Sequence, residues 1–136
     1  MKEPAARCLV LDSQALSLLL RNDRRRMMTR IEAARRVGVP VLVSALTVVE
    51  AVHGKTDTAR LRWLLSRLQV QDVTQADSLT AVQLLSDAGG LHGHKYAIDA
   101  LVAAMALRSP APVLVLTSDR DDRPRLCGDR VQIKDV

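Results

Sequence analysis

Phenylalanine is absent from this sequence, and tryptophan and tyrosine occur once each, as Trp63 and Tyr96. Modules that stack nucleic-acid bases on exposed rings need more than that. Any nucleic acid bound here would be held mainly by backbone and shape contacts. Cysteine is nearly as scarce: Cys8 and Cys127 lie far apart, without metal-ligand spacing. No disulfide framework follows from them, and a buried, reduced pair is expected, as suits a cytoplasmic protein. No apolar run approaches the roughly 20 residues of a membrane span. Lys2 and Arg7 precede only a short apolar run that already contains Asp12, so no signal peptide is expected. A phosphate-cradling glycine loop is missing too, as are linkers, repeats and low-complexity stretches. One domain over residues 1–136 is the expectation.

What is present reads as a globular chain, with 48% apolar and 26% charged residues. The net charge of +5 is uneven, about +7 over residues 1–70 and −2 over the remainder. Much of the excess is arginine: Arg21, Arg24, Arg25, Arg26, Arg30, Arg35 and Arg36 fall on one expected helical hairpin. Such a surface attracts polyanions by releasing counterions, and the guanidinium fork matches phosphate oxygens. A merely solvated helix face is the plainer alternative.

Short apolar runs alternate with helical segments. Leu9–Leu11 reads as a buried strand ended by Asp12, and Ser13 as the cap of a helix running to Leu20. A second helix is expected from Asp23 to about Val37, with Gly38 at its stop. Val41–Val43 gives a strand, then Ser44 caps a helix reaching about His53-Gly54. A helix over Asp57–Leu68 follows, then a strand over Val70–Val73 and helices over Thr74–Ala88 and Lys95–Leu107. Val113–Leu116 is the clearest strand, followed by a short helix over Asp119–Leu126 and an edge strand over Val131–Ile133. This alternation predicts an α/β fold in three layers, a parallel sheet with helices on both faces. Sheets of that kind bind ligands at the carboxyl ends of their strands.

Four acids stand where that architecture gives them meaning. Asp12 and Asp119 follow strands, and Glu50 and Asp99 interrupt apolar helices. Carboxylates are rarely tolerated beside a core unless paired or bound to a metal. Taken singly each has a plain explanation: Asp12 as a helix cap, Asp99 paired with Lys95 four residues earlier, Asp119 as a turn residue. Taken together they form the pattern of a magnesium-type site, one for a hard divalent cation with oxygen ligands. Such an ion activates water and stabilises charge on a phosphate. Thr47, three residues before Glu50, is expected to share its face. His92-Gly93-His94 is expected in a loop, where capping or substrate contact suits it better than zinc.

The segments Leu9-Val10-Leu11-Asp12-Ser13, Val43–Glu50, His92–Ala100 and Val115-Leu116-Thr117-Ser118-Asp119, in that order, resemble the PIN-domain family. The likeness is nearest to VapC-type toxins of bacterial toxin–antitoxin pairs and covers essentially the whole chain. It implies a PIN-like fold and a Mg2+- or Mn2+-dependent ribonuclease. Asp12, Glu50, Asp99 and Asp119 would be the catalytic, metal-binding acids, with Ser13 and Thr117 as polar helpers. It also implies a homodimer silenced by a cognate antitoxin. The last acidic motif lacks the aromatic residue common in the family and offers Asp121 and Asp122 besides Asp119, with Asp122 the second choice. A catalytically silent PIN-like module that binds RNA or protein is the alternative. A phosphotransfer receiver lacks its early acidic pair here, and a haloacid-type phosphatase lacks its second Asp after Asp12.

Overall fold

The structure is a computed structural model that describes residues 6–21, 24–117, 126–127 and 132–135. The chain runs β1 (Cys8–Leu11), α1 (Ser13–Leu20), α2 (Arg25–Arg36), β2 (Val41–Ser44), α3 (Ala45–Ala51) and α4 (Thr58–Arg67). It continues through β3 (Gln69–Gln71), α5 (Gln75–Asp87), α6 (Gly93–Arg108), β4 (Val113–Thr117) and β5 (Gln132–Asp135). All pairings are parallel, in the order β3-β2-β1-β4-β5. The expected three-layer α/β/α architecture is therefore present.

The central strands are short and almost wholly apolar because helices cover both their faces. Alternate residues feed two separate cores. Leu9, Leu11, Val41, Val43 and Leu116 pack with α1, α2 and α4 through Leu16, Leu19, Ile31 and Leu64. Cys8, Val10, Leu42 and Val113 pack on the other face with α5 and α6. On α6 the buried stripe includes Ala100, Ala103, Ala104 and Ala106. Side chains this small let the helix lie close to the sheet. The two cysteine thiols are buried on this side without a disulfide. Sγ of Cys8 donates to Pro110 O at 3.5 Å and Sγ of Cys127 to Ala103 O at 3.7 Å. Burial pushes the Cys8 thiol up from its ordinary pKa.

The order of strands has a consequence for function. The chain adds β2 and then β3 on one side of β1, and afterwards β4 and β5 on the other. Parallel crossovers are right-handed, so this reversal moves the connecting helices from one face to the other. The crevice between the carboxyl ends of β1 and β4 is the resulting switch point, where open α/β sheets bind ligands.

Several boundaries differ from the sequence expectation. Asp12, not Ser13, caps α1: its Oδ1 accepts from Ala15 N–H at 2.9 Å, and Ser13 is already helical. The helix after Ser44 stops at Ala51, because His53 to Thr56 closes into a turn of its own. β3 begins one residue and ends two residues earlier than expected, since Leu42, Val43 and Ser44 pair with Gln69, Val70 and Gln71. α6 begins at Gly93, so His94 lies in its first turn rather than in a loop. His92 occupies the N-cap but makes no side-chain capping bond. Asp23, Val131 and the helix expected from Asp119 fall outside the described residues, apart from that helix's last residue, Leu126.

Candidate functional site

Burying a polar side chain is costly unless something compensates it, so the location of such residues is informative. Among the described residues six polar or charged side chains are buried: Asp12, Ser13, Ser44, Thr47, Asp77 and Thr117. All but Asp77 come from the carboxyl ends of β1, β2 and β4 or the first turn of the helix that follows. The register aligns them. Leu11 pairs with Val43 on one side and Leu116 on the other, so the next residues, Ser44, Asp12 and Thr117, form one row across three adjacent strands. The Asp12 N–H donates to Leu116 O at 3.3 Å, which carries the sheet pattern one residue beyond β1.

Alternation also sets the direction of this row. Asp12 retains extended backbone (φ −89°, ψ −177°), so it points to the same face as Val10. Ser44 likewise follows Leu42, and Thr117 follows Val115. That face is covered by α6. On α6 the half-buried Asp99 precedes buried Val102 and Ala103 by three and four residues, which places it on the sheet-facing stripe. Asp12 and Thr117 flank the switch point, and Asp99 faces the same layer from above.

Thr47 belongs to the same edge. It lies in the first turn of α3, which packs on α1 and touches α6. The residue has no exposed surface, and its Oγ1 makes no hydrogen bond among the described residues. Glu50 differs: it is exposed, and the buried stripe of α3 runs from Thr47 to Ala51 rather than to Glu50. Glu50 therefore stands at the solvent border of the edge.

Among the described residues no three Asp, Glu, His or Cys side chains stand close enough to hold one ion. Asp119, with its neighbours Asp121 and Asp122, lies outside those residues, so the full acidic set is not assembled from what is described. The donors that are in place are all oxygens. They suit a hard cation such as Mg2+, which takes one or two carboxylates and keeps several waters. His92, at the N-cap of α6, and His94, in its first turn, are both exposed.

Three features of the buried polar set escape sequence reasoning. Ser44 reads in the sequence only as a cap, which it is, accepting from Leu46 N–H at 3.2 Å, yet it is also a member of the buried row. The complete burial of Thr47 has no local signal, because it arises from α3 being sandwiched against α1. Asp77, the buried carboxylate away from this edge, does not stand out either, although Thr74-x-x-Asp77 has the spacing of a capping box.

A family model described as "PIN domain" matches residues 9–126. No curated protein gives a significant match. Among solved structures the chain is similar to VapBC2 from Rickettsia felis, bound to a DNA fragment from its promoter, with TM-score 0.73 and 15% identity. That similarity covers 95% of this chain and 98% of the other. It is also similar to DNA-bound VapBC from Salmonella typhimurium, with TM-score 0.66, 17% identity and coverage of 93% and 96%. FitAB bound to a DNA fragment gives 0.66, 20%, and coverage of 93% and 94%.

Proposed function

This chain belongs to the PIN-domain family, and from that premise we propose that it is a Mg2+- or Mn2+-dependent ribonuclease of VapC type. In this reading it is a single PIN-like domain over residues 1–136, active in the cytoplasm. It works as a homodimer and is neutralised by a cognate antitoxin. The observation that carries the reading is the buried polar row Ser44–Asp12–Thr117 at the switch point, with Asp99 on the helix above it. Likeness in fold to VapBC and FitAB assemblies over more than nine-tenths of the chain supports the choice of a two-component system. Among the described residues no helix is long and apolar enough to cross a membrane.

Asp12, Asp99, Glu50 and Asp119 would hold the cation, with Asp122 as the substitute for Asp119. When bound, the cation supplies a water of lowered pKa and stabilises charge developing on the scissile phosphate. The chain's own part is positioning. The α1 cap fixes Asp12 through Ala15 N–H, so this carboxylate is held before substrate arrives. Thr47 offers a hydroxyl with a hydrogen-bonding capacity unspent among the described residues, and, having no exposed surface, it would serve an internal water or a neighbouring side chain of the site. Glu50, at the solvent border, is placed where an RNA strand would enter.

The test compares wild type with Asp99→Asn on structured RNAs in Mg2+, Mn2+ and EDTA. Metal-dependent cutting by the wild type and a loss of at least about a hundredfold in the variant are expected, since metal ligands act on the transition state. Equal activity of the folded variant in saturating metal would remove the acidic-site assignment. Metal and RNA binding without turnover by the wild type would favour the silent module instead.

A further inference from the structure

Between the C-terminal half of α1 and the turn joining α3 to α4 lies a cleft of about 440 Å³. Leu20 and Ala51 give it an apolar floor, and its remaining lining is polar. The turn is held by its own bonds. The His53 N–H donates to Thr56 Oγ1 at 3.0 Å, the Thr56 N–H to His53 O at 3.0 Å, and the Lys55 N–H to His53 Nδ1 at 3.1 Å. Because Nδ1 accepts, the neutral imidazole carries its proton on Nε2 and offers a donor there. The Thr56 hydroxyl accepts one bond and keeps its proton to donate.

Lys55, Arg21 and Ser17 add an ammonium, a guanidinium and a hydroxyl to the lining. One carboxylate stands against them, Asp57, and its Oδ1 already accepts from Ala59 N–H and Arg60 N–H at 3.0 and 3.2 Å as the cap of α4. Positive charge is reinforced nearby. Arg60 reaches Leu19 O at 3.3–3.4 Å, and its charged form is disfavoured first by burial and then by the neighbouring Arg24. The cleft is thus rich in donors and poor in unspent acceptors, the chemistry of an anion site.

Its position says which anion. Ala51 directly follows Glu50, while Ser17 and Arg21 lie roughly 7–14 Å along α1 from Asp12, by the helical rise. A strand whose scissile phosphate sat at the Asp12 edge would pass this cleft. We propose that the cleft is a subsite for a second, non-scissile phosphate of the RNA substrate, gripped by Lys55, Arg21 and the His53–Thr56 turn. The subsite rests on the ribonuclease reading above.

The test uses the full chain and the double variant Arg21→Ala/Lys55→Ala, two exposed side chains whose loss leaves both cores intact. Binding of single-stranded RNA is measured in EDTA against salt, where no cutting occurs, and KM and kcat are measured in Mn2+. The expected result is Kd raised at least about fivefold and a log–log salt slope reduced by about 0.7 for each phosphate that is no longer neutralised. KM should rise with kcat nearly unchanged. Inorganic phosphate should shift the backbone amide resonances of residues 53–57 in the wild type and not in the variant.

Wild type that binds and cuts RNA, with a variant identical in Kd, slope and KM, would overturn the subsite and leave the ribonuclease standing. Wild type that neither binds nor cuts RNA would remove both, and amide shifts with phosphate alone would then mark a free-anion site. A variant with normal RNA affinity but weakened antitoxin binding would reassign the cleft to a partner's carboxylate.

Discussion

Thr47 is fully buried, and its hydroxyl makes no hydrogen bond among the described residues. Valine has nearly the same shape without the polar atom. For folding alone, Thr47→Val should therefore be neutral or stabilising by about 1 kcal/mol, because an unsatisfied buried hydroxyl is removed. If the hydroxyl serves an internal water or a side chain of the site, the same variant should lose cleavage while its Tm stays level or rises. Thermal melts and RNA cleavage on one preparation check both halves together. A drop in Tm of several degrees would show instead that the hydroxyl has a structural partner. The residue scale also shows what the sequence could yield about the site. Asp12 is legible because a strand ends on it. Its plain explanation as a helix cap is what the structure shows, since Oδ1 caps α1. The burial of Thr47 and the alignment of Ser44 with Asp12 depend on which strands become neighbours, and no local pattern encodes that.

At the level of elements, strands buried on both faces announce themselves as apolar runs, which is why β1, β2 and β4 are readable almost to the residue. β5 is harder: Gln132-Ile133-Lys134-Asp135 is an edge with one apolar residue, and its pairing with β4 supplies what its composition does not. The tie between α5 and α6 is invisible in the sequence, because it joins residues 31 apart. Arg108, at the end of α6, donates through Nε to Asp77 Oδ1 at 2.7 Å and through Nη2 to Asp77 Oδ2 at 3.1 Å. Its Nη2 also reaches Asp72 O. Asp77 is in addition the N3 residue of a capping box with Thr74. These bonds, the Arg108 side chain foremost, hold the Asp77 carboxyl below its ordinary pKa against the opposing effect of burial.

The sign of the pH dependence follows from that direction. A carboxyl depressed in the folded state contributes stability above its unfolded pKa, near 3.8, and loses that contribution as pH falls through the lower folded value. The wild type should therefore lose stability steeply below about pH 4, and Asp77→Asn should flatten that limb. Arg108→Met leaves the carboxylate without its principal partner and should cost about 1–3 kcal/mol at neutral pH, with the partial exposure of Arg108 tempering the loss. Denaturant unfolding at pH 3.5 and pH 7 measures both. Equal acid limbs for Asp77→Asn and wild type would assign the acid sensitivity to other carboxylates.

For the whole molecule, on the ribonuclease reading, the uneven charge becomes a question of where RNA would approach. Arg25, Arg26, Arg35 and Arg36 are exposed on α2, while Met27, Ile31 and Ala34 of the same helix are buried. The helix is thus anchored by one face and cationic on the other. Trp63 contributes no open stacking platform, since the guanidinium carbons of Arg60 and Arg67 lie over its ring at 4.7 and 4.8 Å. That agrees with recognition through phosphates rather than bases. Exposed arginines of this kind act at long range, and their attraction decays over a Debye length of about 8 Å at physiological salt. They should govern encounter rather than chemistry. Replacing all four α2 arginines by glutamine should slow RNA association and reduce the salt slope by between about 1 and 3, the upper figure applying if each meets a phosphate. The turnover rate at saturating RNA should stay within about twofold, because long-range attraction acts before the substrate is bound and not on the bound transition state. Stopped-flow association and single-turnover cleavage separate the two effects. An unchanged association rate and salt slope would make this face an ordinary solvated one and shift the burden of RNA capture to the cleft beside Lys55. A collapse of single-turnover chemistry would mean instead that α2 takes part in positioning the scissile phosphate.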